Sequence, residues 1–67
     1  MIRLDNFIEK LDKNNAIKLY LLFDEKTDKC LYMGHNPPDC FLNRHIHRYD
    51  CSYKYKDNGF EFFIYLD

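Results

Sequence analysis

The run Lys56-Asp57-Asn58-Gly59-Phe60 joins two stretches in which apolar and polar side chains alternate. Asn-Gly between such stretches is the strongest short-range hairpin signal, because a tight type I′ turn needs left-handed backbone at its two central positions. The spacing predicts one long strand from about His45 to Lys56 and another through FEFFIYLD. On the last strand Phe60, Phe62, Ile64 and Leu66 share one face, with Glu61, Phe63 and Tyr65 on the other.

A second hairpin is predicted upstream. AIKLYLLF puts Ile17, Leu19, Leu21 and Phe23 on one side and Lys18, Tyr20 and Leu22 on the opposite side. DEKTDK is a charged turn, and CLYMG returns as a strand. In HNPPDC the two prolines exclude regular pairing, and Pro38-Asp39 launches a short helical turn from Cys40 to Asn43. Ahead of both hairpins, Leu4, Phe7, Ile8 and Leu11 form an apolar stripe at helical spacing, with Asp5 as the expected N-cap. Asn14-Asn15 ends that helix. The expectation is a single α+β domain over residues 1–67: one N-terminal helix packed on a four-stranded, mainly antiparallel sheet made of two hairpins.

Sixty-seven residues is near the lower limit for an unaided core. A chain this short buries only about 60% of the surface it exposes when unfolded. Six Phe and six Tyr compensate in part, since each ring buries a large apolar area. Disulfides, a metal or oligomerisation are the usual reinforcements. The opening MIRLDNFIEKL is charged at positions 3, 5, 9 and 10, which argues against a signal peptide or membrane span and for a cytoplasmic protein. In that reducing compartment the three cysteines are expected to be thiols or metal ligands.

The cysteines and histidines all fall between Cys30 and Cys51. On a regular strand His45, His47, Tyr49, Cys51, Tyr53 and Tyr55 would share a face, and two histidines beside a thiol need hydrogen-bonding or metal partners there. Zinc accepts four such ligands in a tetrahedron. The expected set is Cys40, His45, His47 and Cys51, with Cys30 and His35 in reserve for Cys51, because four residues of strand span roughly 13 Å. The spacing matches no standard zinc template. The plainer alternative has the cysteines acting as small hydrophobes and both histidines on an exposed edge strand.

Other chemistry is disfavoured. Ten basic and eleven acidic residues, net −1, are mixed along the chain, with no basic stripe for a phosphate backbone. Paired carboxylates and Gly-rich loops are absent, and so small a domain has little room for a substrate cleft, so no enzymatic activity is expected. One helix covers only one face of a four-stranded sheet. That leaves Tyr20, Leu22, Phe63 and Tyr65 as a partner-binding face, rimmed by Arg44 and Arg48, for a homodimer or a host protein.

Lys, Asn, Ile, Phe and Tyr dominate the chain, as AT-rich codons would give. LDNFIEKL, then AIKLYLLFDEKTDKCLYMG, then the closing alternating strand, resembles small phage and prophage proteins of Firmicutes over most of residues 1 to 66. That group includes anti-CRISPR inhibitors of the type II effector nuclease. The resemblance implies a small protein that binds and inhibits a host protein, such as a CRISPR effector nuclease; the Cys/His-rich segment departs from that group, and the zinc staple is expected from the density of ligands alone. Anti-CRISPRs share no common motif, so no residue role is carried over. The alternatives are a DNA-associated or structural phage component and, further off, a thiol-dependent enzyme.

Overall fold

The computed structural model describes residues 1–13, 16–54, 56 and 58–67. The elements run α1 (Leu4–Leu11), β1 (Ile17–Asp24), β2 (Cys30–Gly34), α2 (Asp39–Leu42), β3 (Ile46–Lys54) and β4 (Gly59–Leu66). The strands form one sheet in the order β2-β1-β4-β3. Both expected hairpins are present as antiparallel pairs. The centre of the sheet differs from the expectation, because β1 and β4 run parallel along their whole length, from Ile17 opposite Gly59 to Asp24 opposite Leu66.

The chain path explains the parallel pair. β2 ends beside Tyr20, while β3 starts beside Leu66 at the opposite end of the sheet. Residues 35–45 must therefore travel the length of the sheet, and α2 lies on that crossing. A return of this kind delivers the second hairpin in the orientation that sets β4 parallel to β1. The arrangement also puts the two most apolar strands in the middle and leaves β2 and β3 as edges.

Leu4 and Phe7 of α1 pack with Tyr20, Leu22, Ile46, Phe62, Ile64 and Leu66 to form the core. Phe41 and Leu42 of α2 close its margin. The inward face of β4 is as expected. For β1 the faces are exchanged: Tyr20 and Leu22 are 2% and 0% exposed, whereas Ile17 is 55% exposed. The parallel register pairs Tyr20 with Phe62 and Leu22 with Ile64, so the face that β4 buries dictates the face that β1 buries. Both sides of β1 are apolar enough that its own alternation does not choose between them.

The helix start also departs from expectation. Arg3, not Asp5, occupies the N-cap position, and no side chain caps it. Strand-like contacts replace the cap. Leu4 N–H donates to the Arg44 carbonyl at 2.9 Å, and Ile46 N–H donates to the Ile2 carbonyl at 2.9 Å. Asp5 sits in the first turn, accepting from Asn6 N–H at 2.7 Å and from Arg3 at 2.8 Å, where the positive end of the helix dipole favours a carboxylate. With eight residues, α1 is too short to persist alone and depends on its packed face. The expected helix stop at Asn14-Asn15 lies outside the described residues. Pro38-Asp39 does launch α2, whose N-cap is Pro38. Asn58 takes a positive φ of 48°, but Gly59 does not and already pairs with Lys54 as the first residue of β4, so Asn58-Gly59 does not form the central pair of a type I′ turn.

Candidate functional site

The six Cys and His side chains are spread over the fold. Cys30 opens β2, with its Sγ 3.6 Å from the Tyr32 carbonyl. His35 follows β2, and its Nδ1 lies 2.8 Å from the Lys18 carbonyl. Cys40 is exposed on α2, and His45 forms a lone bridge with Arg3 just before β3. The expected shared face of His45, His47 and Cys51 is broken by a register shift between Ile46 and Arg48, where His47 is the extra residue. Downstream of the bulge, Tyr49, Cys51 and Tyr53 stand opposite Ile64, Phe62 and Phe60, on the helix side of the sheet. Among the described residues, no three His, Cys, Asp or Glu side chains converge on a point where an ion could be held.

His47 instead belongs to a charged knot at the end of the sheet. Its Nε2 lies 3.5 Å from Glu25 and its Nδ1 3.4 Å from Asp67. Arg44 donates from Nε to the Asp67 carbonyl at 2.8 Å and reaches Asp24 at 3.3 Å. Asp24 accepts from the amide and hydroxyl of Thr27, each at 2.9 Å. These two bonds, helped by Arg44, hold the Asp24 carboxyl below its ordinary pKa. The knot ties the β1–β2 turn to β3 and to the end of β4, which is a structural task. Arg44 is consumed by it and is not a free rim residue.

The other expected partner-binding residues divide into two groups. Tyr20 and Leu22 are in the core and cannot touch a partner. Phe63, Tyr65 and Arg48 do lie together on the face away from the helices. Arg48 stacks its guanidinium 3.6 Å above the Tyr65 ring, and Phe23 stacks on the same tyrosine at 5.1 Å.

A second surface escaped the sequence reading. Between α1 and β3 runs an apolar groove of about 300 Å³, lined by Phe7, Leu11, Tyr49, Cys51, Phe60 and Phe62. Tyr49 is 52% exposed and Tyr53, farther along the same strand face, 49%. The rings are held in place: Phe7 meets Tyr49 edge-on at 4.8 Å, and Tyr53 meets Phe60 at 4.9 Å. Desolvation on this wall pushes the Cys51 thiol above its ordinary pKa. β3 lies at the edge of the sheet with β4 as its strand neighbour, and at its start Ile46 N–H also donates to the Ile2 carbonyl. The signal was available in the alternation of Tyr49, Cys51 and Tyr53 opposite Phe60 and Phe62.

No family model, curated protein or solved structure matches the chain. Among the described residues, no helix is long and apolar enough to cross a membrane.

Proposed function

We propose that this chain is a small binding protein that acts by occupying a host protein in the host cytoplasm and performs no chemistry of its own. The groove between α1 and β3 carries the reading. It combines an edge strand with two half-exposed, ring-braced tyrosines, and tyrosine is enriched among the residues that dominate binding energy. An extended segment of the partner would pair with β3 through its main chain and place apolar side chains over Phe7, Cys51 and Phe60. The bulge at His47 confines such pairing to the part of β3 from Tyr49 onward.

The likeness to phage and prophage proteins makes a type II CRISPR effector nuclease the first partner to test. Purified protein mixed with such a nuclease is expected to form a stoichiometric complex and to suppress DNA cleavage. Replacing Tyr49 and Tyr53 together by Ala should weaken that complex by about tenfold or more while the circular dichroism spectrum holds. If no complex forms and the protein instead binds DNA with a steep loss on added salt, the DNA-associated alternative takes its place.

Zinc remains a separate proposal. Its support is the density of ligands around Cys40, His45, His47 and Cys51. Because those residues come from α2, the bridge, the bulge and mid-β3, binding would have to draw them together.

A further inference from the structure

We infer that the segment docking on β3 runs antiparallel to it and carries a basic side chain between two apolar ones, selected by Asp50. The inference rests on the docking reading above and supplies its specificity. Part of this edge is already occupied by the chain itself. Arg3 stands opposite His45 in an antiparallel bridge, with Ile46 N–H donating to the Ile2 carbonyl and Leu4 N–H to the Arg44 carbonyl. The edge thus takes an antiparallel segment at its start. A partner segment placed beyond the bulge at His47 continues the same line.

The register says which backbone groups are open to it. Ile17 N–H donates to the Asn58 carbonyl, so the even-numbered residues of β4 turn their peptide groups toward β1. The odd-numbered ones, from Gly59 to Tyr65, turn theirs toward β3 and meet Lys54, Ser52, Asp50 and Arg48. Tyr49 and Cys51, between those pairs, therefore direct N–H and C=O to the edge. On an added antiparallel strand, the residues opposite Tyr49 and Cys51 form hydrogen-bonded pairs with their side chains on the groove side. The residue between them falls opposite Asp50 in a non-hydrogen-bonded pair. There the Cα atoms come within about 4.5 Å and the side chains approach most closely.

Charge decides what stands at that position. Arg48 is held by Glu25 at 3.5 Å and lies 3.6 Å above the Tyr65 ring, and Lys54 is 3.7 Å from Glu61. Asp50 is exposed and has no ion pair or side-chain hydrogen bond among the described residues. Its carboxylate is the unmatched charge on the stretch, so it favours Lys or Arg opposite and repels Asp or Glu. With apolar residues opposite Tyr49 and Cys51, the pattern recognised is apolar–basic–apolar.

Two blocked synthetic peptides test this by NMR titration of the isotope-labelled full chain: Thr-Thr-Val-Lys-Val-Thr-Thr and its counterpart with Glu in place of Lys. Both should shift the Tyr49 and Cys51 amide resonances, and the Lys peptide should bind about three- to tenfold more tightly at low salt. Asp50→Lys should invert that order and Asp50→Ser remove it, each with an unchanged circular dichroism spectrum. Equal affinities for the wild-type chain, or an order that Asp50→Ser leaves in place, overturn the inference while the docking reading stands. Tyr49 and Cys51 resonances that stay fixed at about 5 mM of either peptide overturn both.

Discussion

At the scale of single residues, Tyr20 carries an uncomfortable group. Its ring stacks on Phe62 at 5.8 Å, but its hydroxyl is buried without a hydrogen-bond partner among the described residues. Burial, aided by the negative charge of Asp12, pushes its pKa from 10.0 to about 12. The neutral form is thus favoured in the folded state. The unfolded chain releases this proton near pH 10 and the folded chain only near pH 12, so the contribution is complete below pH 10 and is lost as pH rises from 10 to 12. Two pH units correspond to about 2–3 kcal/mol. Denaturant titrations should therefore show a fall in stability across that interval which Tyr20→Phe abolishes. The same substitution removes an unsatisfied hydroxyl whose desolvation costs about 1–3 kcal/mol, so the melting temperature at pH 7 should stay level or rise. A clear drop would mean that the hydroxyl has a partner. Residue identity alone could not reveal this strain, because nothing in AIKLYLLF shows which side of the strand is buried.

At the scale of elements, the local signals were legible and the relations between elements were not. The Asn-Gly turn, the Pro-Pro loop and the helical stripe each act over a few residues, and each placed its element. The face of β1 and the bulge in β3 depend on partners far away in sequence. Leu19 and Leu21 look more like core than Tyr20 and Leu22, yet the β4 register overrules that preference. The same long-range effect dismantled the expected histidine face, because one inserted residue reverses the alternation on which it rested. Two truncations on one strand check the assignment. Leu22→Ala should cost about 2–5 kcal/mol, the range for a fully buried leucine. Ile17→Ala, at an exposed site, should change stability by less than about 0.5 kcal/mol. Equal costs, or the reverse order in chemical denaturation, would put the other face of β1 inside.

At the scale of the whole molecule, the core is one layer deep and eight of the described residues are buried in it. So small a core makes outside reinforcement a reasonable expectation, and the zinc proposal is one answer to it. Elemental analysis tests it. Zinc near one per chain, together with a chelator-induced fall in melting temperature, supports the clamp. Zinc near zero with an unchanged melting curve rejects it. The site was less legible than the fold because a cluster of ligands in sequence becomes a cluster in space only if the strand carrying it stays regular. The bulge at His47 means that β3 does not.

The parallel pair at the centre has a bearing on how this chain comes into being. β1 leaves the ribosome before β2, α2 and β3 and β4 leaves after them, yet β1 and β4 are neighbours along their full length. Until β4 arrives, the first hairpin has one bare flank and Tyr20 has no Phe62 to lie against. Neither half can mature ahead of the other, so acquisition of structure is a single late event governed by closure of a long loop. A ribosome halted before Gly59 would leave β1 without the neighbour that covers its flank, and proteases would find that strand open.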